Sequence, residues 1–194
     1  TYTGNFALTN ASAHAIFRTG GYLNNTGTFS TVAGSTLSIG DTDGITATGG
    51  GASGSVRSSG TRTYITSGNY IYIGTAPQIT GTGLLATVSG VLTINSPSTV
   101  TLSQATTLSN AATALNLLQG RLLLGNNNLT LSSATSTIGG NTPSATNMIV
   151  TNGTGQLIKA FPASAYPFTF PVGDTVGTPE YSPTTLNFTA SSAT

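Results

Sequence analysis

Leu92-Thr93-Ile94-Asn95, followed after a short gap by Val100-Thr101-Leu102, is the stretch that decides the fold. Two apolar residues alternate with a hydroxyl, an Asn interrupts, and a second alternating pair begins. Alternation with period two marks a strand with one buried face. Gly or Asn directly after such a pair suits a corner with positive φ. Three more copies obey the rule: Leu37-Ser38-Ile39-Gly40 with Ile45-Thr46, Ile71-Tyr72-Ile73-Gly74 with Ile79-Thr80, and Leu122-Leu123-Leu124-Gly125 with Leu129-Thr130. The copies start 34, 21 and 30 residues apart. A strand-corner-strand unit with variable insertions predicts an all-β, right-handed β-solenoid (a parallel β-helix) of five or six coils. Leu37, Ile71, Leu92 and Leu122 are then expected in one inward column. Gly40, Gly74, Asn95 and Gly125 take the corners, and Tyr70 and Tyr72 point outward.

Composition supports this reading. Only 5% of the 194 residues are charged, against roughly 25% in an ordinary soluble domain. The chain carries 38 Thr, 22 Ser and 25 Gly, so its solubility rests on hydroxyls and amides. Leu, Ile, Val and Phe number 44 and fall in periodic slots, which argues against disorder. There is no Cys, hence neither a disulfide framework nor a thiolate metal site. The net charge of +1 rests on five cations, too few to follow a phosphate track, so nucleic acid is not an expected partner. No apolar run is long enough to span a membrane as a helix. The chain begins at Thr1 without a leader and reads as a piece of something longer.

Outward from the repeats, residues 1–33 are expected to form an opening coil or N-terminal cap, because terminal solenoid units are atypical. Residues 34–141 hold the solenoid repeats, with a flexible glycine-rich excursion at 49–60. Residues 103–118 are read as strands, with Ala114 to Leu117 a third strand of the coil. A helix is the alternative there, through Ala105, Leu108, Ala112 and Leu115 on one face, but Thr, Ser and Asn disfavour it. Residues 142–194 change texture: six of the eight prolines fall here. Residues 147–161 around Asn152-Gly153 read as a hairpin. The aromatic side chains of Phe161, Phe168, Phe170, Tyr181 and Phe188 suit a C-terminal β-rich module that caps the open coil end.

Two stretches carry a resemblance. Gln119 to Leu131, and Val150-Thr-Asn-Gly-Thr-Gly-Gln-Leu-Ile-Lys159 followed by Phe170-Pro-Val-Gly-Asp174 and Tyr181-Ser-Pro183, resemble segments of large secreted, adhesin-like surface proteins of Bacteroidota, which are exported by the type IX route. The resemblance implies an extracellular or cell-surface location, a solenoid fold and no catalytic residues. Asp174-Thr175-Val176 also resembles the short O-glycosylation signal of that phylum, which makes Thr175 a candidate acceptor.

The chemistry on offer is sparse. One His, no Cys and four carboxylates give neither a nucleophile triad nor a carboxylate pair across a cleft, so no enzyme activity is expected. His14 reads as a strand or cap residue. Asp41-Thr42-Asp43-Gly44 has the look of a calcium loop, but Asp41 and Asp43 lack the further oxygen ligands such a cation takes. A corner turn is the simpler reading, and no cofactor is expected. If Ile45, Ile79, Val100 and Leu129 point inward, Thr46, Thr80, Thr101 and Thr130 point out, with Thr48, Thr82, Ser103 and Ser132 two residues on. Stacking would set these in two hydroxyl ladders with rungs about 4.8 Å apart. The function expected is a structural or adhesive segment of a surface protein or filament, with glycan, surface or neighbouring copies as partners. An ice-binding face or a carbohydrate-binding or carbohydrate-active solenoid is the alternative.

Overall fold

The structure is a computed structural model that describes residues 3–49 and 51–190. Residues 1–2, Gly50 and residues 191–194, parts of the expected cap, excursion and module, lie outside the described residues. The strands run β1 (Phe6–Ala7), β2 (His14–Phe17), β3 (Phe29–Ser30), β4 (Thr36–Ile39), β5 (Arg62–Thr63), β6 (Asn69–Tyr72), β7 (Gln78–Ile79), β8 (Thr87–Val88), β9 (Leu92–Thr101) and β10 (Thr106–Leu108). They continue with β11 (Thr113–Leu123), β12 (Leu129–Leu131), β13 (Thr137–Gly140), β14 (Ile149–Val150), β15 (Leu157–Lys159), β16 (Ser164–Phe170), β17 (Val172–Asp174), β18 (Glu180–Tyr181) and β19 (Thr184–Ala190). Among the described residues there is no helix, and residues 113–123 are strand.

The strands stack as an all-β solenoid with three walls. The first wall holds β2, β4, β6, the starts of β9 and β11, and β13. The second holds β7, the ends of β9 and β11, then β14 and β17. The third holds β1, β3 and β5, and further along β8, β10, β12 and β15. All these pairings are parallel. The path β2-β4-β6-β9-β11-β14-β17 makes seven rungs, so the stack has about seven coils rather than five or six.

The basic spacing is 22–23 residues: His14 sits beside Thr36, Tyr70 beside Leu92 and Leu92 beside Leu115. The step from Thr36 to Asn69 is 33 because the excursion is inserted there. The inward column of the first wall is therefore Ala15, Leu37, Tyr70, Leu92, Leu115 and Ile138. Two expectations need correction. The second copy is slipped by one residue: Tyr70 and Tyr72 are fully buried, while Ile71 and Ile73 lie on the outer side, half-buried. A slip of one exchanges the faces of a strand. The slip is tolerated because the phenols find acceptors inside: Tyr70 Oη donates to the Ile65 carbonyl at 2.6 Å and Tyr72 Oη to the Thr80 carbonyl at 2.8 Å. The fourth copy is displaced by one wall. Leu122 continues the column of Val100 in the second wall, and Leu129 starts the third.

The corners also differ from expectation. Gly125 has φ +56°, but Gly40, Gly74 and Asn95 do not adopt positive φ. Gly40 is glycine because an added Cβ would lie 2.4–2.5 Å from the Phe17 and Arg18 backbone of the coil beneath. Asn95 is no break at all: β9 runs through it, and the bend is taken up by register shifts at Gln119 on β11.

The ladders pass both expected domain boundaries. β2 already pairs in full with β4, and β14, β15 and β17 extend the walls beyond residue 141. Residues 147–161 form no hairpin; β14 and β15 belong to two walls of one coil. Their Asn152-Gly153 turn stacks on the previous corner, with Asn152 Oδ1 accepting the Gly125 N–H at 2.9 Å. Among the strands of the described residues only β16 and β19, and β18 against β17, pair antiparallel. Phe161 packs against Tyr166, Phe168, Phe170 and Phe188, with ring centroids 4.8–6.5 Å apart.

Lys159 ties this aromatic cluster to the stack. It occupies the inward column of the third wall after Val88, Leu108 and Leu131. Its Nζ donates to the carbonyls of Ser133 (3.0 Å), Ala134 (2.7 Å) and Ala160 (2.5 Å) and lies 5.2–5.5 Å from the rings of Phe161, Tyr166 and Phe168. Charge-assisted bonds and the ring faces hold the ammonium in place, while burial lowers its pKa. Lys159→Met keeps the stem and removes the donors. It is expected to cost about 2 kcal/mol, a fall in melting temperature of roughly 4–8 °C. An unchanged melting temperature would show that the ammonium holds nothing.

Candidate binding face

The expected hydroxyl ladders do not form as one surface. Thr46 and Thr80 are buried, and their hydroxyls serve the stack. Thr46 Oγ1 donates to the Ser53 carbonyl at 3.0 Å and accepts from Arg62. Thr80 Oγ1 accepts the Ser103 N–H at 2.9 Å, and Ser103 Oγ accepts the Gly81 N–H at 2.9 Å. Thr48 Oγ1 accepts the Arg62 N–H, and Thr82 Oγ1 the Ala47 N–H. Thr101 stands between Ile79 and Leu123, in an apolar column. The first five knit loops to coils, and the six present no common face.

Thr130 and Ser132 do belong to a hydroxyl face, on a different wall from the rest. In the third wall Thr87, Thr107 and Thr130 are direct neighbours on β8, β10 and β12. Val88, Leu108 and Leu131 lie between the rows and point inward, fully or almost fully buried. One step on, the ladder continues: the Ser109 N–H donates to the Val88 carbonyl at 2.9 Å and the Ser132 N–H to the Leu108 carbonyl at 3.0 Å. Ser89, Ser109 and Ser132 thus form a second row. The face reads Thr-apolar-Ser three times, on rungs about 4.8 Å apart. Among the described residues the hydroxyls of Thr87, Thr107, Thr130, Ser89 and Ser109 have no intramolecular partner, and all are exposed or half-exposed. Sequence reading missed this face because its rungs were aligned by the 30-residue spacing; the 20- and 23-residue steps Thr87–Thr107–Thr130 were the available signal.

The remaining candidates are structural in geometry. Asp41 Oδ2 pairs with Arg57 Nη2 at 2.9 Å, and Oδ1 accepts the Asp43 N–H at 2.9 Å. Asp43 Oδ2 accepts the Ser53 hydroxyl at 2.6 Å. The Arg57 guanidinium lies 3.6 Å from the Tyr22 ring centroid. Arg62, buried, donates to the Ser58 carbonyl at 2.9 Å and the Gly51 carbonyl at 2.6 Å. These contacts tie Gly51, Ser53, Arg57 and Ser58 of the expected excursion to their neighbours. Both carboxylates have partners, and among the described residues no three His, Asp or Glu side chains gather as a metal site. His14 heads β2 and its Nε2 lies 2.8 Å from Ser38 Oγ. Thr175 sits half-buried in the turn between β17 and β18, beside an Asp174 that accepts the Val176 N–H at 3.0 Å.

A cleft of about 580 Å³ opens between the last corner and the C-terminal strands, bordered by Thr151, Gln156, Leu157, Phe170, Val172 and Leu186. None of its lining side chains is ionisable, so it supplies no acid or base. No helix of the described chain is long and apolar enough to cross a membrane. Comparison with protein-family models, with curated proteins and with solved structures finds no match for this chain.

Proposed function

We propose that this chain is a non-catalytic structural and adhesive segment of an extracellular surface protein or filament. The observation that carries the reading is the uncharged third-wall face, two in-register hydroxyl rows in which, among the described residues, five of the six hydroxyls have no partner within the chain. Such a face suits repeated hydrogen bonding to a hydroxyl-rich polymer, with the solenoid as rigid spacer. The near absence of charge removes long-range steering, so contact rests on many short-range bonds. The likeness of residues 150–183 to secreted surface proteins supports the extracellular location.

Retention of the labelled protein on insoluble polysaccharides tests the reading. Thr87→Val/Thr107→Val/Thr130→Val keeps the shape and β propensity of each site while deleting a row of hydroxyls. The triple variant is expected to bind about tenfold more weakly, a loss of about 1.4 kcal/mol. Absence of retention on every glycan and cell surface tried, or release of new sugar ends, would sink the proposal. The same rows favour one second reading, an ice-binding face; thermal hysteresis abolished by the triple variant would establish it instead.

A further inference from the structure

Among the described residues, β19 is a seven-residue strand of the C-terminal region with one edge unpartnered. It pairs with β16 on one side only, and residues 182–189 are exposed throughout. A two-stranded sheet is marginal in water without further cover. Protein edges are usually blunted by Lys, Pro, a bulge or shortness. Over Thr184–Ala190 the strand has none of these: it is seven residues long, uncharged, without proline and in unbroken register from Thr184 to Phe188. Leu186 and Phe188 remain 38% and 43% exposed.

The backbone polarity of this edge follows from Pro167. Pro167 stands opposite Asn187 and has no N–H, so that pair is of the non-hydrogen-bonded kind. Alternation then gives the β16 bonds to Phe188, Leu186 and Thr184. The N–H and C=O groups of Thr185, Asn187 and Thr189 point to the open side. The sequence is symmetric about Asn187: Leu186 and Phe188 flank it, then Thr185 and Thr189.

We propose that the open edge of β19 docks a second copy of this chain, antiparallel, about a two-fold axis at Asn187. Asn187 faces Asn187 of the other copy, and each Thr185 faces a Thr189. All three open residues fall in hydrogen-bonded pairs, which yields six backbone bonds. On the opposite face Leu186 meets Phe188 across the axis, an apolar cross-strand pair at both positions. The two hairpins become one four-stranded sheet. Because the contact is isologous it closes as a dimer and does not propagate as a fibre. For its use the pairing rests on the reading of this chain as a structural segment. The test reads association alone, so its failure would leave that reading standing, while lost glycan retention would leave the dimer standing.

Light scattering on the full chain, resolved by size, is the experiment. The parent is expected to be a dimer. Asn187→Pro removes an edge donor without touching the bonds to β16. Thr185→Lys/Thr189→Lys places charge on the edge without altering the backbone. Each is expected to raise the dimer dissociation constant at least roughly tenfold. The chain has no cysteine, so engineered thiols report register directly. Hydrogen-bonded partners have Cα atoms about 5.5 Å apart, within disulfide reach. Asn187→Cys is expected to cross-link to its own copy on oxidation and Thr185→Cys alone is not, whereas Thr185→Cys/Thr189→Cys is. A parent that stays monomeric at its solubility limit would overturn the proposal. So would a dimer that survives both edge variants, or one cross-linked by Thr185→Cys and not by Asn187→Cys.

Discussion

Gly120→Ala is expected to destabilise the solenoid by on the order of 4 kcal/mol, a large fraction of the stability of a typical domain. Gly120 lies at the bend of β11 with φ +85°, where an L residue costs roughly 1–2 kcal/mol. A methyl there would also lie 1.9 Å from the Ser96 carbonyl oxygen and 2.4 Å from that of Ser98. Both oxygens are backbone of the coil beneath. They cannot rotate aside, because ladder pairs on either side, Gln119 with Asn95 and Arg121 with Thr99, fix the coil spacing. Relief requires the two coils to separate, and overpacking of this kind adds roughly 1–3 kcal/mol or more. Gly125 supplies the control. Its φ is +56°, but an added Cβ would have nothing within 4 Å. Gly125→Ala therefore carries the conformational cost alone, about 1–2 kcal/mol. Denaturant midpoints of the two variants separate strain from collision. Equal losses at both positions would show that the close approach at Gly120 does not hold the coils.

The same glycine explains why the fold was legible and its register was not. Period-two pairs such as Leu92 with Ile94 announce strands, and their recurrence announces stacking. A solenoid needs no more than that, and the low charge agrees with it. Register needs the position of each corner, and corners here take several forms. Gly125 uses positive φ, Gly40 a close backbone approach, and Gln119-Gly120 a bulge inside what reads as one uninterrupted strand. Leu122-Leu123-Leu124-Gly125 obeys the repeat rule in full, whereas Leu115-Asn116-Leu117 has the alternation but no Gly or Asn after it, and only the bulge reveals that Leu115 belongs over Leu92. The error then propagates. With Leu122 over Leu92 the hydroxyl rows are assembled from different walls, and Thr130 is grouped with Thr46 and not with Thr107. The Asn152-Gly153 turn misled for a related reason. Its geometry suits a hairpin, but Asn152 is engaged by the corner of the preceding coil, a contact that no local pattern encodes. The second copy had one available signal, Tyr70-Ile71-Tyr72-Ile73, in which both pairs are large and apolar enough to be core. What decides between them is whether a phenol finds an acceptor inside, and that depends on carbonyls five and eight residues away.

That choice makes the protein sensitive to alkali. Tyr64, Tyr70 and Tyr72 sit together in the core, and burial is the main force raising each of them. The Tyr70 phenol is pushed up to about 12, and burial raises those of Tyr64 and Tyr72 as well. Each hydroxyl donates to a carbonyl, Tyr64 to that of Thr46 at 3.1 Å, and a phenolate cannot make that bond. A tyrosine whose folded value lies above its unfolded value of about 10 binds its proton more tightly in the native state. Its stabilisation is complete below pH about 10 and is lost as the pH climbs toward the folded value. For Tyr70 alone that is on the order of 3 kcal/mol, and the other two act in the same direction. The solenoid is therefore expected to keep its β circular dichroism from neutrality to about pH 10 and to lose it cooperatively between about 10 and 12. Tyrosinate absorbance of the buried phenols should rise with that loss and not before it. Tyr70→Phe/Tyr72→Phe removes two titrating groups and is expected to move the transition to higher pH. The result also tests the register. With Ile71 and Ile73 inside, Tyr70 and Tyr72 would lie in solvent and ionise near pH 10 while the strands stayed folded. Tyrosinate absorbance that runs to completion there with unchanged circular dichroism would overturn both the buried trio and the one-residue slip that places it.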